Sequence, residues 1–315
     1  MDINYIILAH KGPKQLARLL EKLVTNETWF YIHIDKEADI VPFRHELKPY
    51  RNVFFLTGAQ RLAAVWADFG MVQATINCMR QIIADKRKGY CVLLSGQDYP
   101  IKSTGFIHDF FNRQYGTNFV QACPILPSEN LEQGPGRINL YKINLSNRRN
   151  DLLVFPSIFD KAFYRPLIFE SFVYLAKRKS VSSCLHVLHK ALKRRRFPSY
   201  LQPYKGSQWW ALPIETVQYI DRFINQHPDY IAYHKDTFAP DEIFFHSIIY
   251  SMFDKSCIRE EPTYVHWQPD NGGPLLLREK NFEELMNRGR DKLFARKFDI
   301  EIDSTILDLI DRENA

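Results

Sequence analysis

The sequence has few cysteines and no long uninterrupted apolar stretch. Its five cysteines are scattered and odd in number, and no two form a metal-binding or redox motif. This favours a reducing compartment over a disulfide-stabilised secreted domain. No window approaches 18 apolar residues without charge, so we expect no membrane-spanning helix. The N-terminal residues lack a basic stretch followed by a long apolar one, so we expect no signal peptide and a cytoplasmic location.

A second absence concerns acidic metal ligands. Many nucleotide-sugar enzymes hold a divalent cation with two acids in a D-x-D arrangement after a buried strand. Here a strand-like run at 90–94 precedes Asp98, but Gly96 occupies the partner position. One carboxylate makes a poor magnesium or manganese site, so we expect no metal and no other cofactor. Asp98 is then either a ligand for sugar hydroxyls or a turn residue.

The overall composition is that of an ordinary globular protein. The chain has 315 residues, of which 45% are hydrophobic and 25% charged, with no internal repeat or low-complexity segment. A net charge of +6 suits an anionic partner such as a nucleotide diphosphate, a lipid head group or a nucleic acid. No nucleic-acid-binding motif is present, so we expect no nucleic-acid partner.

Apolar spacing in the first hundred residues predicts alternating strands and helices. The strands are expected at 5–9, 29–34, 53–56 and 90–94, and the helices at 13–24 and 66–83. This order favours an α/β fold with a mostly parallel central sheet and flanking helices. Ligands of such sheets bind at the carboxyl ends of the strands. Residues 10–11, 35–36 and 97–98 should therefore meet at one edge.

The pattern changes near residue 124 and resumes near 206. We expect a single domain made of residues 1–123, a basic insertion or cover at 124–205, and residues 206–315. Further helices are expected at 159–192, 213–226, 240–253 and near 304–311, with helix and turn across 281–298.

Several acids have both a structural and a chemical interpretation. Asp35 follows a strand, where a carboxylate can bind uracil or ribose or can simply cap a turn. Asp241 and Glu242 follow Pro240 at a predicted helix start, where acids satisfy the first backbone N–H groups. One of the two could instead be the general base that takes the proton of an acceptor hydroxyl.

The aromatic and basic clusters also have two interpretations each. Trp209 and Trp210 follow a Gly-Ser-Gln turn and could form an aromatic wall beside a sugar or fill the core. Arg296 and Lys297 could hold a diphosphate or lie exposed on a helix. The basic run 193–196 follows several apolar residues and could dock on an anionic membrane or form a solvated helix face.

Seven segments in order resemble one family. The sequence is similar to the core-2/I-branching β-1,6-N-acetylglucosaminyltransferases and the related peptide O-xylosyltransferases, glycosyltransferase family fourteen. The matching segments lie at 9–11, 31–36, 71–79, 94–100, 206–210, 240–242 and 294–298. The resemblance implies a GT-A-like fold of Rossmann type, inversion at the anomeric carbon and metal independence. It also implies that residues 1–123 form the UDP-sugar-binding half and residues 206–315 the acceptor and catalytic half, with a C-terminal phosphate-binding segment.

The resemblance also implies roles for particular residues. Glu242 would be the catalytic base, and Lys297 with Arg296 would hold the UDP phosphates. Asp35 and Arg61 would face the uridine. Contact with the donor sugar or the acceptor would come from a set of residues given by this resemblance and by the motifs above: Asp98, Glu132, Arg137, Trp209, Trp210 and Asp241.

The resemblance leaves the substrates open. We expect UDP-N-acetylglucosamine as donor, with UDP-xylose second, and a carbohydrate or lipid-linked glycan as acceptor. The sequence shows neither the membrane anchor and stem nor the disulfide cysteines of the animal members. We therefore expect a cytoplasmic enzyme of bacterial surface polysaccharide synthesis. A peripheral position at the inner face of the membrane is compatible with this expectation. The alternative is a non-catalytic sugar-binding protein on the same fold.

Overall fold

The structure is a computed structural model that describes residues 1–126, 134–148, 151–178, 181–268 and 273–314. Its strands are β1 (Ile3–Ala9), β2 (Thr28–Ile34), β3 (Val53–Phe55), β4 (Tyr90–Ser95), β5 (Asp98–Pro100), β6 (Asn118–Pro124), β7 (Tyr141–Asn144), β8 (Leu152–Phe155), β9 (Tyr204–Pro213), β10 (Ile258–Arg259), β11 (Thr263–Val265) and β12 (Phe294–Arg296).

The α-helices alternate with these strands over most of the chain. They are α1 (Pro13–Leu23), α2 (Val41–Glu46), α3 (Phe69–Ala84), α4 (Thr104–Arg113), α5 (Pro135–Asn139), α6 (Pro166–Arg178), α7 (Val181–Ala191), α8 (Ile214–Gln226), α9 (Pro228–His234), α10 (Phe244–Met252), α11 (Phe282–Arg288) and α12 (Thr305–Glu313). In the ranges that the structure describes, no helix combines the length and the apolar character needed to cross a membrane.

A seven-stranded sheet forms the centre of the molecule. Its order is β10-β6-β9-β4-β1-β2-β3, and β9 alone runs against its neighbours. The predicted α/β class with a mostly parallel sheet is therefore confirmed. The predicted partition at residues 123 and 205 stays a prediction. In the sheet, β9 from the last part lies between β4 and β6 of the first.

Helices cover both faces of this sheet because the buried strands are apolar on both sides. On β1, the side chains of Tyr5 and Ile7 pack in one core together with α1 and α12. Ile6 points the other way, into a second core with α3, α8 and α10. Helix α1 shows the sequence logic: its leucines at 16, 19, 20 and 23 are fully buried, and Pro13 stands in its first turn.

The C-terminal segment differs from its prediction. Residues 294–296 were expected in helix and turn, but they form β12, which pairs parallel with β11 and antiparallel with β5. Phe294 and Ala295 are fully buried in this small sheet. The long-range pairing with β5 overrides local helix preference, and it brings Arg296 opposite Asp98.

Two predicted helices also begin later than expected. Helix α3 begins at Phe69 and not at Trp66, because Ala67 has a left-handed backbone with φ of 59°. The segment 240–253 is interrupted: Pro240–Glu242 forms a short 3-10 turn, and α10 begins only at Phe244. The acids at 241 and 242 therefore lie on a turn and not inside a continuous helix.

The insertion between β6 and β9 builds a small core of its own. The β7–β8 hairpin packs under α6 and α7, with Phe155, Leu175, Val187 and Ala191 at its centre. One helix was expected over 159–192. The structure instead has a 3-10 turn at Lys161–Tyr164 followed by α6 and α7. Pro166 in the first turn of α6 marks the start of that helix.

The basic run 193–196 is not uniformly solvated. Arg195 is buried, donates to the Ile138 carbonyl at 3.2 Å and the Thr237 hydroxyl at 2.5 Å, and stacks 4.0 Å from the Tyr233 ring. The side chains of its three basic neighbours are exposed. Arg195 thus joins the insertion to the turn that precedes residues 240–242, which corrects its predicted place in an exposed cluster.

Replacement of Gly206 tests the close approach of β6 and β9. A Cβ at Gly206 would lie 1.8 Å from the carbonyl oxygen of Gln121, where the register of the two strands shifts. We expect Gly206→Ala to lower the free energy of unfolding by about 1–3 kcal/mol through overpacking, measured by urea unfolding.

The matched control is Gly105→Ala in the first turn of α4. A Cβ there would meet no atom within 4 Å, and its φ is not positive. We expect this variant to be unchanged or more stable, since alanine favours helix by about 0.5–1 kcal/mol. Equal stability of the two variants would contradict the close contact.

Candidate active site

The strand ends predicted to meet do meet at one edge of the sheet. β1 lies between β2 and β4, and the segment after β12 crosses the ends of these strands. Lys11 after β1 pairs with Asp299 at 2.6 Å. Gln97 after β4 donates from its side chain to the Phe298 carbonyl at 3.2 Å and accepts from the Phe298 N–H at 2.9 Å.

Positive charge collects at this edge. Burial lowers the pKa of His10, and the charges of Lys297 and Lys11 lower it further, while Asp35 opposes them. His10 therefore lies within electrostatic range of two lysines. Lys297 is half-buried, and its backbone is held by Leu277, whose N–H donates to the Lys297 carbonyl at 2.8 Å. Such an edge suits an anionic ligand.

Asp35 and Arg61 lie in one loop region after β2. The Asp35 carboxylate accepts from the N–H groups of Glu37 and Ala64, each at 2.8 Å. Arg61 donates to the carbonyl of Ile34 at 2.9 Å and that of Asp35 at 2.7 Å, and also to the Ala38 carbonyl. Both side chains organise the loop, and their predicted contact with uridine stays a prediction.

The structure corrects the predicted role of Asp98 as a ligand for sugar hydroxyls. Its side chain is fully buried, and its two oxygens accept from the N–H and hydroxyl of Ser95 at 2.7 and 2.8 Å. Burial raises its pKa, against the charge of Arg296, whose Nη1 lies 3.5 Å away. A carboxylate with no exposed surface cannot bond sugar hydroxyls, so Asp98 acts as a turn residue that also pairs with Arg296.

The two tryptophans both face the interior, which corrects the predicted sugar wall. Trp210 is fully buried against Phe245, and Trp209 lies under the Arg296 guanidinium at 4.0 Å. In a regular strand adjacent side chains face opposite sides. Here the register shift against β6 places both indoles in the same core. Residues 206–208 are therefore irregular strand and not the predicted turn.

Arg296 faces inward in the described structure. Its guanidinium is mostly buried between Trp209 and Asp98, and its Nη1 atom makes no hydrogen bond. Burial lowers its pKa, and Asp98 opposes that effect. The charge of Lys297, the next residue, helps to lower the pKa of His10. The predicted role of both residues in phosphate binding stays a prediction.

The turn that carries the two acids has an unusual backbone. Ala239 has φ of 46°, and its N–H donates to the carbonyl of Ala67 at 3.1 Å. Ala67 is itself left-handed, with φ of 59°. A non-glycine residue in this region costs about 1–2 kcal/mol, and such residues cluster at functional sites. Two of them bonded to each other hold the turn at 240–242 against the start of α3.

Glu242 is the accessible acid of this turn. Its side chain is 36% exposed, and one carboxylate oxygen accepts from Arg137 Nη1 at 2.8 Å. The same guanidinium donates from Nη2 to the Ala239 carbonyl at 2.8 Å. The structure places Arg137 where it orients the Glu242 carboxylate, and its predicted contact with the acceptor stays a prediction.

Asp241 is the buried acid. It is 8% exposed, and its Oδ1 atom has no hydrogen-bond partner among the described residues. Burial raises the pKa of Asp241 to about 7, and the neighbouring charge of Glu242 adds to this rise, while Arg137 opposes it. A carboxyl group in this environment is partly protonated near neutral pH, so the two adjacent acids differ in both access and charge.

Two further residues near this turn could not be recognised from the sequence. Lys142 on β7 is buried and pairs with Asp68 at 2.5 Å, just before α3. His246 on α10 is fully buried beside Arg137, and burial lowers its pKa to about 4. Its Nε2 contacts the Ser207 carbonyl at 2.6 Å. Partners separated by 39 to 74 residues leave no local pattern.

A polar cavity lies beside the Lys142–Asp68 pair. It has a volume of about 280 Å³ and lies between β7, α7 and the chain after α9. Its charged lining includes the pairs Lys142–Asp68 and Lys190–Asp236. Glu132 lies outside the described residues, so its predicted acceptor contact stays a prediction. Within the described ranges, no three His, Cys, Asp or Glu side chains are grouped to hold a metal ion.

The raised pKa of Asp241 predicts a pH effect on stability. Between about pH 4 and 7 the native state holds a proton that the unfolded chain, with its pKa of 3.8, has lost. Stability is thus highest below this window and falls as pH rises through it, by at most about 4 kcal/mol. Asp241→Asn cannot ionise, so its free energy of unfolding relative to wild type should increase across the window.

Urea unfolding at several pH values measures this difference. The control is Asp109→Asn, because Asp109 is exposed on α4 and its removal should leave the pH dependence unchanged. Parallel curves for wild type and Asp241→Asn would show that Asp241 is ionised throughout.

Comparison with known proteins places these features in a family. The family model described as "Branch: Core-2/I-Branching enzyme" matches residues 3–287. Xylosyltransferase 1 of Rattus norvegicus is 22% identical over 98% of this chain and 35% of its own length. The human "Probable beta-1,3-galactosyl-O-glycosyl-glycoprotein beta-1,6-N-acetylglucosaminyltransferase 7" is 28% identical over 40% of this chain and 30% of its own.

Solved structures add little to this result. UDP-glucose pyrophosphorylase of Leishmania major, 6% identical, aligns with 71% of this chain and 52% of its own at a TM-score of 0.29, a value too low to carry an argument. The chain spans about a third of the length of the xylosyltransferases that it matches. Since the family model covers nearly all of the chain, this protein belongs to the Core-2/I-branching enzyme family.

Proposed function

We propose that this chain is an inverting glycosyltransferase that moves a sugar from a UDP-sugar to a carbohydrate hydroxyl. The observation that carries the proposal is the pair of unlike acids at 241 and 242. Glu242 is open and oriented by Arg137, whereas Asp241 is buried with a raised pKa. Inversion requires one base on the face of the sugar opposite the leaving group, and Glu242 fits that role.

The strand-end edge supports the binding of the UDP phosphates. Departure of UDP leaves negative charge on the diphosphate, and fixed cations stabilise that charge as it develops. Lys11 and Lys297 lie at this edge near His10, with Asp299 pairing to Lys11. In this proposal Lys297 is the principal phosphate ligand, and Arg296 supports it from the buried side, next to Trp209.

We also propose that no metal ion is required. The support is positional: the strand end that holds a cation in D-x-D enzymes has Gly96 at one position and Asp98 at the other. Both oxygens of Asp98 are already bonded to Ser95, and the side chain is fully buried. An acid in this state offers no ligand to a cation at the strand end.

The donor has two candidates. UDP-N-acetylglucosamine is the first, supported by the name of the human relative that aligns with 40% of this chain. UDP-xylose is the second, supported by the xylosyltransferases, which align with 98% of it. The proposed acceptor is a carbohydrate or lipid-linked glycan of a bacterial surface polysaccharide, at a cytoplasmic site. A donor screen that monitors UDP release separates the two sugars.

Glu242→Gln tests the base. The amide keeps the size and the contact with Arg137 but cannot accept a proton, so the rate of transfer should fall by roughly 10²–10⁴-fold. UDP affinity should stay within about threefold of wild type. The control is Glu21→Gln, an exposed acid on α1. Unchanged transfer in Glu242→Gln would overturn the assignment, and no transfer by any variant or wild type would favour a non-catalytic sugar-binding protein.

Lys297→Ala tests the phosphate contact. Loss of a charge-assisted contact of about 1.5–3 kcal/mol should weaken UDP binding at least tenfold, measured by titration calorimetry in excess EDTA. Lys280→Ala removes an exposed lysine from the same region and should leave the affinity unchanged. Repeating the titration with manganese should change nothing. UDP binding that requires manganese would contradict the metal-free proposal.

A further inference from the structure

The helices of the insertion have an outer surface that is unexpectedly apolar. Eight large apolar side chains between residues 159 and 192 are exposed, with Phe169 at 73% and Leu185 at 61%. A large exposed apolar patch on a protein surface marks an interaction site. These residues are Phe159, Tyr164, Phe169, Val173, Tyr174, Leu185, Leu188 and Leu192. We call them the α6–α7 face.

The spacing of these residues shows that the exposure is patterned. On α7 the outer leucines at 185 and 188 are three residues apart and share one side of the helix, and exposed Leu192 follows in the turn directly after it. The opposite side carries Val187 and Ala191, which are buried in the small core of the insertion. On α6, Phe169 and Val173 face out while Leu175 faces in. Both helices are thus apolar on two sides, although an ordinary surface helix is polar on its outer side.

The segment that carries this face is rich in basic residues, and those exposed in the described structure are Lys161, Arg165, Lys177, Lys193, Arg194 and Arg196. Residues 159–196 contain ten lysines and arginines and only two acids, a net charge of +8. The whole chain carries +6, so all other residues together carry −2. The Arg194 guanidinium lies 5.3 Å from the Phe159 ring, which links the basic run to the apolar residues. The Ile158 N–H donates to the Ala191 carbonyl at 2.9 Å, so this edge adjoins the end of α7.

We propose that the α6–α7 face binds to an anionic phospholipid bilayer. Apolar side chains flanked by lysine and arginine match the boundary between acyl chains and acidic head groups. A second copy of the chain fits less well, because the exposed lysines and arginines of two such segments would meet with like charge. A nucleic acid would match the basic residues but would leave the three exposed leucines at 185, 188 and 192 without an apolar environment.

The face is held firmly relative to the candidate active site. Lys142 of the insertion pairs with Asp68, and Arg195 bonds Thr237 shortly before the turn at 240–242. Docking through α6 and α7 would therefore set the orientation of Glu242 relative to the bilayer. This proposal concerns binding only and does not depend on the reaction proposed above.

Cosedimentation of the full chain with vesicles tests the proposal. Vesicles of phosphatidylcholine with 30% phosphatidylglycerol are compared with vesicles of phosphatidylcholine alone. We expect wild type to partition at least tenfold more strongly onto the anionic vesicles, and high salt to weaken the binding. Failure to bind the anionic vesicles would overturn the proposal.

Two variants separate the apolar and the charged contributions. The triple variant L185S/L188S/L192S changes only exposed leucines and should reduce partitioning at least tenfold, as should K193E/R194E/R196E. The control V41S/I302S removes exposed apolar residues elsewhere and should bind as wild type does. If the leucine variant binds as strongly as wild type, the apolar face does not insert into the bilayer. Binding would then be electrostatic adsorption only, which contradicts the proposal.

If the face binds a second copy of the chain or a nucleic acid, different results are expected. Light scattering that shows a dimer, lost in the leucine variant, together with no vesicle binding, would make the face a self-association surface. RNA binding without vesicle binding would make it a nucleic-acid surface. Either result overturns the proposal. Thermal unfolding of each variant confirms that the fold is intact, so a loss of partitioning cannot come from unfolding.

Discussion

The bonds that Arg137 makes to the turn at 239–242 are the contacts on which the candidate active site depends. One guanidinium holds both the Glu242 carboxylate and the Ala239 carbonyl. Arg137 comes from the insertion, whereas the turn belongs to the last third of the chain. Because the arginine is mostly buried, loss of the Glu242 carboxylate would leave its charge with only neutral carbonyl partners, which is destabilising. The insertion and the turn at 239–242 are therefore energetically coupled.

Asp98, Asp241 and Glu242 differ in their surroundings more than in their chemistry. Asp98 is buried with its oxygens bonded to Ser95 and a guanidinium nearby. Asp241 is buried with one oxygen unpartnered among the described residues, and its pKa rises to about 7. Glu242 is open to solvent and held by a single arginine. Only the third acid combines access with a fixed orientation, as a general base requires.

Strand β9 connects the two parts of the site. It lies between β4 and β6, and the close approach of Gly206 to Gln121 sets its irregular register. Ser207 on this strand contacts His246 near the turn at 239–242, and Trp209 lies beneath Arg296 near the strand-end edge. The irregular backbone turns two adjacent indoles into one core. A change at this strand would reach both the proposed base and the proposed phosphate ligands.

The sequence alone determined the fold class and the meeting of the strand ends. These follow from local periodicity and from the geometry common to parallel sheets. It could not show that Asp98 is buried while Glu242 is accessible, or that Trp210 and Arg195 are buried. Those outcomes depend on partners far away in sequence: the β5–β12 pairing, the register of β9 and the docking of the insertion. Burial and long-range pairing exist only in the folded chain, so only the tertiary structure decided them.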